Sequence, residues 1–219
     1  PGIRRMNTAT DNVIQSTTDL LRVPKQERSR RKFNAILDTS LKLIHQKGYE
    51  QVSVREIARE CGQPIASVYQ YFPNKLSIVR QLWERYTRGL EDFLAGEFLV
   101  LAAEPSAETL HRVTANIVDH MVAYHQDNPA FLEIWRCVEG SPELRALNRQ
   151  DTLEVARAIA HVVCQIDPET DPETAFHRSI IACETANHTV QLAQELPPGM
   201  QESVIENLKT VMISMYDHL

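Results

Sequence analysis

Residues 48–76 read GYEQVSVREIARECGQPIASVYQYFPNKL, and their punctuation is that of two short helices joined by a tight turn. Ser53 and Glu56 have the S-x-x-E spacing of a capping box, which predicts a helix start at Ser53. Val54, Ile57 and Ala58 supply its apolar face. Gly62 can adopt the left-handed conformation that ends a helix. Pro64 suits the first position of the next helix, where a missing N–H costs nothing. That second helix has no acidic residue and presents Ala66, Ser67, Tyr69, Gln70 and Tyr71. Small side chains allow close approach to a surface, and Tyr, Ser and Gln offer hydrogen bonds, the combination a duplex groove requires. Asn74 then reads as an N-cap, which places Lys75 in the first turn of a third helix. A cation there opposes the helix dipole by about 0.3–1 kcal/mol. The placement makes sense if a phosphate sits at that terminus.

The charge distribution agrees. The chain of 219 residues carries a net −6, which by itself argues against a nucleic-acid partner. Residues 1–80, however, hold 14 Lys and Arg against 7 Asp and Glu, and residues 81–219 hold 9 against 22. A head of +7 on a body of −13 is the asymmetry expected if only the head meets DNA. The chain has no run of about 18 apolar residues, the length that would predict a membrane span. Its N-terminus lacks the apolar core of a signal peptide. Cys61, Cys137, Cys164 and Cys183 are far apart, with no C-x-x-C spacing. A cytoplasmic protein with free thiols is expected.

Away from the central stretch the pattern is helical throughout. Residues 1–24 are polar and unpatterned and read as a disordered arm. A basic first helix is predicted over 26–47, with Phe33, Ile36, Leu37, Leu41 and Ile44 on one face. A long helix follows over 75–96, with Val79, Trp83, Tyr86, Leu90 and Phe93 at helical spacing. Further helices are predicted from Leu110 to before Pro129, then over 129–139, 142–165, 172–195 and 200–217. The expected fold is all-α with about nine helices: an arm, a helix-turn-helix unit over 25–74, and a helical body over 75–219.

The penultimate helix carries Ala175, Ser179, Ala182, Ala186, Thr189 and Ala193 at near-heptad steps, a stripe that lets helix backbones approach closely. The last helix carries Val204, Leu208, Val211 and Met215. Together the two helices are expected to form half of a four-helix dimer bundle, with Ala182, Ala186, Ala193, Val204, Leu208, Val211 and Met215 at its interface. Two heads on one dimer would engage two half-sites.

The residues of the central stretch resemble the tetracycline-repressor (TetR) family of bacterial transcriptional regulators. The resemblance covers roughly residues 28–80: the basic first helix, Gly48-Tyr49, Ser53-Val54-x-x-Ile57-Ala58, Cys61-Gly62 and Tyr69-x-Tyr71-Phe72-x-x-Lys75. The turn Gly62-Gln63-Pro64 departs from the family's more frequent Gly-Val-Ser, and Ala66 stands where Gly is more frequent. The resemblance implies a homodimer that represses a promoter and releases a palindromic operator when a small molecule enters the C-terminal body. By position it places Ser53, Val54 and Arg55 where the second helix meets DNA. It places Pro64, Ile65, Ala66, Ser67, Tyr69, Gln70 and Tyr71 on the recognition helix, and Lys75 on the phosphate clamp.

The body is expected to hold an apolar cavity with a few polar groups, the usual form of a ligand site. Its candidate lining is Trp83, Met121, Tyr124, Phe131, Trp135, His161, Cys164, Phe176, Ile180, Cys183 and Asn187, which favours a lipophilic ligand. No metalloprotease, hydrolase or paired-carboxylate signature is present. No enzyme, cofactor or metal is therefore expected. A redox- or metal-responsive regulator of the same fold is the alternative, since helices can gather Cys137, Cys164 and Cys183 in space.

Overall fold

The computed structural model describes residues 24–216. Among these there are nine helices and no strand: α1 (Glu27–Lys47), α2 (Val54–Glu60), α3 (Ile65–Tyr69), α4 (Lys75–Ala103), α5 (Ala107–Asp127), α6 (Phe131–Gly140), α7 (Pro142–Ile166), α8 (Pro172–Gln194) and α9 (Pro198–Ser214). The arm expected over residues 1–24 lies outside the described residues except for Pro24.

Local chemistry sets most boundaries. Ser106, Ser141 and Asp171 each accept the N–H three residues on and so cap α5, α7 and α8. Pro142, Pro172 and Pro198 occupy first-turn positions that need no N–H. Two boundaries correct the sequence reading. Helix α4 runs on to Ala103 rather than stopping near residue 96, because Gly96 only weakens a helix and nothing breaks it before Pro105. Helix α9 starts at Pro198 and ends at Ser214, two positions earlier at its start than the expected 200.

One continuous core ties the head to the body. Phe33, Val68, Phe72 and Ile78 share a buried cluster with Phe131, Ile134, Trp135 and Val138 of α6. Phe33 stacks on Phe72 at 4.9 Å between ring centroids. Burying a side chain of that size stabilises the fold by about 1.5–3 kcal/mol. Helix α6 therefore rests on the head as well as on α4 and α7.

The small-residue stripe of α8 corrects an expectation. Ala182, Ala186 and Ala193 are buried inside the chain, in a cluster with Val118, Met121, Ile205, Leu208 and Met212. Helix α8 packs against α5, α7 and α9, and its small side chains serve those close approaches. Ala182, Ala186, Ala193 and Leu208 thus cannot form a surface for a partner. Val204 and Met215 are half-buried against the same cluster. Of the seven expected interface residues only Val211 is exposed. The outward apolar side chains of these two helices are Ile181, Leu192, Met200 and Val211.

Candidate nucleic-acid interface and body cavity

The head is built around α2 and α3. Ser53 Oγ accepts from Glu56 N at 3.1 Å, so the cap expected from the sequence forms. The Glu56 carboxylate does not close the box. It pairs with Lys47 Nζ at 2.5 Å, a bond that holds its carboxyl below the usual range and ties the end of α1 to α2. The turn is a Schellman motif: Gln63 N donates to Ala58 O, and Gly62 N donates to Arg59 O, with Gly62 at φ +64°. Pro64 is the N-cap of α3 rather than its first residue.

Helix α3 then divides its residues by face. Val68 is fully buried, while Ile65 and Tyr69 are 38% and 44% exposed. Ala66, Gln70 and Pro64 are exposed and Ser67 is half-buried. On α2, Ser53 and Arg55 are exposed and Val54 is half-buried. Arg55 takes part in no ion pair among the described residues, unlike Arg59, which is held by Glu56 and Glu60. These side chains form one face with two exposed apolar groups that the core does not use. Tyr71 is the exception and a correction. It is 5% exposed and packs edge-on against Phe33 at 5.8 Å, so its ring belongs to the core. The end of α3 turns back on itself there, with Phe72 N bonded to Val68 O.

Lys75 stands at the start of α4, whose N-terminus is closed by a reciprocal Asn74–Ser77 box. Its ammonium donates to the Tyr49 carbonyl at 2.6 Å and lies 3.9 Å from the centre of the Tyr49 ring. The cation is thus pinned beside the α1–α2 connection. One of its three N–H groups is engaged there, and two are left for an anion.

The body holds a mostly apolar cavity of about 140 Å³ between α4, α5, α6, α7, α8 and α9. Of the residues expected to line it, Trp83, Met121, Trp135, Cys183 and Asn187 do. Tyr124 and Phe131 stand behind the wall, against Tyr86. His161, Cys164 and Phe176 do not reach it. They form a separate shallow surface pocket with Arg157 and Pro172, because the last turns of α7 lie beyond the cavity. Ile180 is half-buried and belongs to neither. Ala182 and Ala186, expected at a dimer surface, line the cavity instead.

The sequence reading missed the polar centre of the wall. Tyr86 and His125 are both buried and meet at 2.9 Å between the phenol oxygen and Nε2. Burial pushes the His125 imidazole down to about 4 and the Tyr86 phenol well above its ordinary value. Both are neutral near pH 7. Their signal was available as the helical spacing of Tyr86 with Trp83 and of His125 with Met121. Trp83 is 3% exposed, and its indole N–H has no acceptor among the described residues. Glu91 and Asp151, both exposed, stand on the cavity rim.

The thiols are separate. Cys183 is in the cavity wall, Cys164 at the surface pocket, and Cys137 packs against the head's core. Burial pushes Cys183 up to about 12 and Cys137 up to about 11. Neither is a thiolate near neutrality, and the thiolate is the reactive form.

Comparison with known proteins gives a consistent result. The family model described as "Bacterial regulatory proteins, tetR family" matches residues 36–82. A second, "Tetracyclin repressor-like, C-terminal domain", matches residues 108–216. The chain is 33% identical over 97 residues to the uncharacterized HTH-type transcriptional regulator YuxN of Bacillus subtilis, covering 42% of this chain and 31% of that protein. It is 25% identical over 143 residues to the HTH-type transcriptional regulator BetI of Cronobacter sakazakii, covering 65% of this chain and 70% of that protein. Among solved structures it resembles the TetR family regulator PfmR of Thermus thermophilus, with 25% identity and a TM-score of 0.57 over 82% of this chain and 97% of that one. It also shares the fold of the fatty acid degradation regulator FadR of Bacillus halodurans, with 16% identity and a TM-score of 0.60 over 87% and 97% of the two chains.

Proposed function

The chain belongs to the TetR family of DNA-binding transcriptional regulators, which are not enzymes, and from that premise we propose that it is a dimeric, cytoplasmic repressor released from a palindromic operator by a small lipophilic ligand. In this reading residues 25–74 bind DNA, while residues 75–219 bind the ligand and dimerise. The observation that carries it is the pairing of an exposed, acid-free recognition face on α3 with an apolar cavity whose wall shares side chains with the head's core. Trp83 and Trp135 line the cavity and also belong to the cluster that contains Phe33 and Phe72.

That shared packing supplies a route from ligand to DNA. A ligand weakens DNA binding only by favouring a state whose two recognition helices are wrongly spaced. Helix α4 carries Lys75 at one end and Trp83 and Tyr86 in the cavity wall. A shift of α4 or α6 at the cavity is therefore a shift at the head. Dimerisation is assigned to the outward faces of α8 and α9, which expose Ile181, Leu192, Met200 and Val211. Ile181 and Leu192 are eleven residues apart on α8, and so are Met200 and Val211 on α9, a spacing that returns each pair to one face of its helix. The thiol-sensing alternative loses support, since burial keeps Cys183 and Cys137 protonated.

The test is a paired measurement on the full chain. A lipophilic ligand should raise the thermal midpoint and lower operator affinity over the same concentration range. Cys183→Trp, which fills the cavity wall, should abolish or mimic both effects. A compound that binds the body while operator affinity stays constant across its titration overturns the inducer role for that compound.

A further inference from the structure

The outward face of α3 has a composition that selects among base pairs. Val68 turns inward and is fully buried. Ile65 and Tyr69, both exposed, lie one turn apart on one side of the helix. Ala66 and Gln70, also exposed, lie one turn apart beside them. Gln70 is held in helical geometry as the C-cap of α3, its backbone N–H donating to the Ala66 carbonyl at 3.1 Å. Residues 61–74 contain no Asp, Glu, Lys, Arg or His. The head's cations stand outside them, as at Arg55 on α2 and Lys75 on α4. Each base edge in the major groove asks for a different partner. Guanine presents two acceptors, which the donors of a cation meet, and cytosine presents a donor, which a carboxylate meets. Helix α3 offers neither. Adenine presents an acceptor beside a donor, and a carboxamide matches both. Thymine presents a methyl group, which takes an apolar contact.

We infer that α3 reads A·T base pairs: Ile65 packs on a thymine methyl group, and the Gln70 carboxamide bonds adenine at N7 and at the N6 amino group. This rests on α3 being the recognition helix. Ile65 is a branched apolar side chain that the core leaves in water, so covering it with a methyl group is favourable in proportion to the area removed. Ala66 beside it is small enough to let the helix come close to the base edges. Ile65 and Gln70 are five residues apart, about 7.5 Å along the helix. That is close to two base-pair steps of ~3.4 Å, so each half-site should carry two A·T pairs about two steps apart.

The experiment takes the duplex that the full chain selects from a randomised pool and replaces its thymines and adenines one position at a time. Deoxyuridine in place of thymidine removes the methyl group and keeps the pairing. A 7-deazaadenine base removes N7 and keeps the amino group. At one thymine of the half-site, deoxyuridine should weaken the wild-type chain about fourfold, the effect of one buried methyl group. The same replacement should leave the affinity of Ile65→Ala unchanged. At one adenine, 7-deazaadenine should weaken the wild-type chain about tenfold and Gln70→Ala not at all. Each comparison sets two duplexes against one variant, so a change in that variant's stability or phosphate contacts cancels. If every thymine tolerates deoxyuridine, or the loss persists in Ile65→Ala, the methyl contact is overturned. If every adenine tolerates the deaza base, or Gln70→Ala still discriminates against it, the adenine contact is overturned. In both cases the selected site leaves the DNA-binding role of the head standing. A pool that stays random after selection overturns the recognition-helix reading itself, and this inference with it.

Discussion

Arg55 is exposed and makes no ion pair among the described residues, so its guanidinium is available for a base edge. A bidentate Arg–guanine contact is worth about 1–3 kcal/mol of discrimination. Arg55→Ala should relax preference at one operator position, whereas Lys75→Ala should weaken all sequences alike; binding-site selection on both variants separates the roles. Gly62 sits at φ +64°, and a Cβ there would meet nothing within 4 Å. The cost of Gly62→Ala is then backbone strain alone, about 1–2 kcal/mol, and Gly62→Asn should cost less. Urea midpoints of the two variants check the order. His125 gives a pH dependence. Its folded value of about 4 lies below the ordinary 6.5, so between these values the unfolded chain binds more protons than the folded one. Stability from this group is complete above pH 6.5 and is lost as pH falls toward 4, amounting to at most about 3 kcal/mol. The thermal midpoint should fall across that window, and His125→Gln should flatten the fall.

The scale of elements shows why some features were legible in the sequence and others were not. Helices α2 and α3 and the turn between them are local, and their caps, glycine and apolar spacing are written within a few residues of where they act. Tyr71 was misread because exposure is not local: the chain turns back after Val68 and carries that ring into contact with Phe33. The stripe on α8 was misread for the same reason. Its spacing showed that something packs closely against Ala182, Ala186 and Ala193, but the occupants are α5, α7 and α9 of the same chain. Met121 and Asn187 reach the cavity because their helices face the centre of the body, whereas His161, Cys164 and Phe176 do not, because there α7 and the start of α8 have passed beyond it. These distinctions separate two variants. Ala186→Arg should destabilise the monomer itself, by overpacking of about 1–3 kcal/mol and by an unpaired buried charge. Ile181→Arg with Leu192→Glu, on the exposed face of α8, should leave the monomer folded and lower its mass in light scattering. A dimer that survives the double variant would move the interface away from α8.

At the scale of the whole molecule, a basic head on an acidic body confines phosphate contact to one end. Residues 1–80 carry +7, and a protein that neutralises phosphates releases counterions on binding. Operator affinity should therefore fall steeply and linearly on a log–log scale with added salt. A flat dependence would remove the electrostatic part of the account. The central claim, a dimer that sets two α3 faces on one duplex, is tested most directly by selecting binding sites for the full chain from a randomised duplex pool. The account predicts an inverted repeat with half-site centres about 34–36 Å apart along the duplex, or a multiple of that distance. An enriched set without two-fold symmetry, or a pool that stays random after selection, would contradict it.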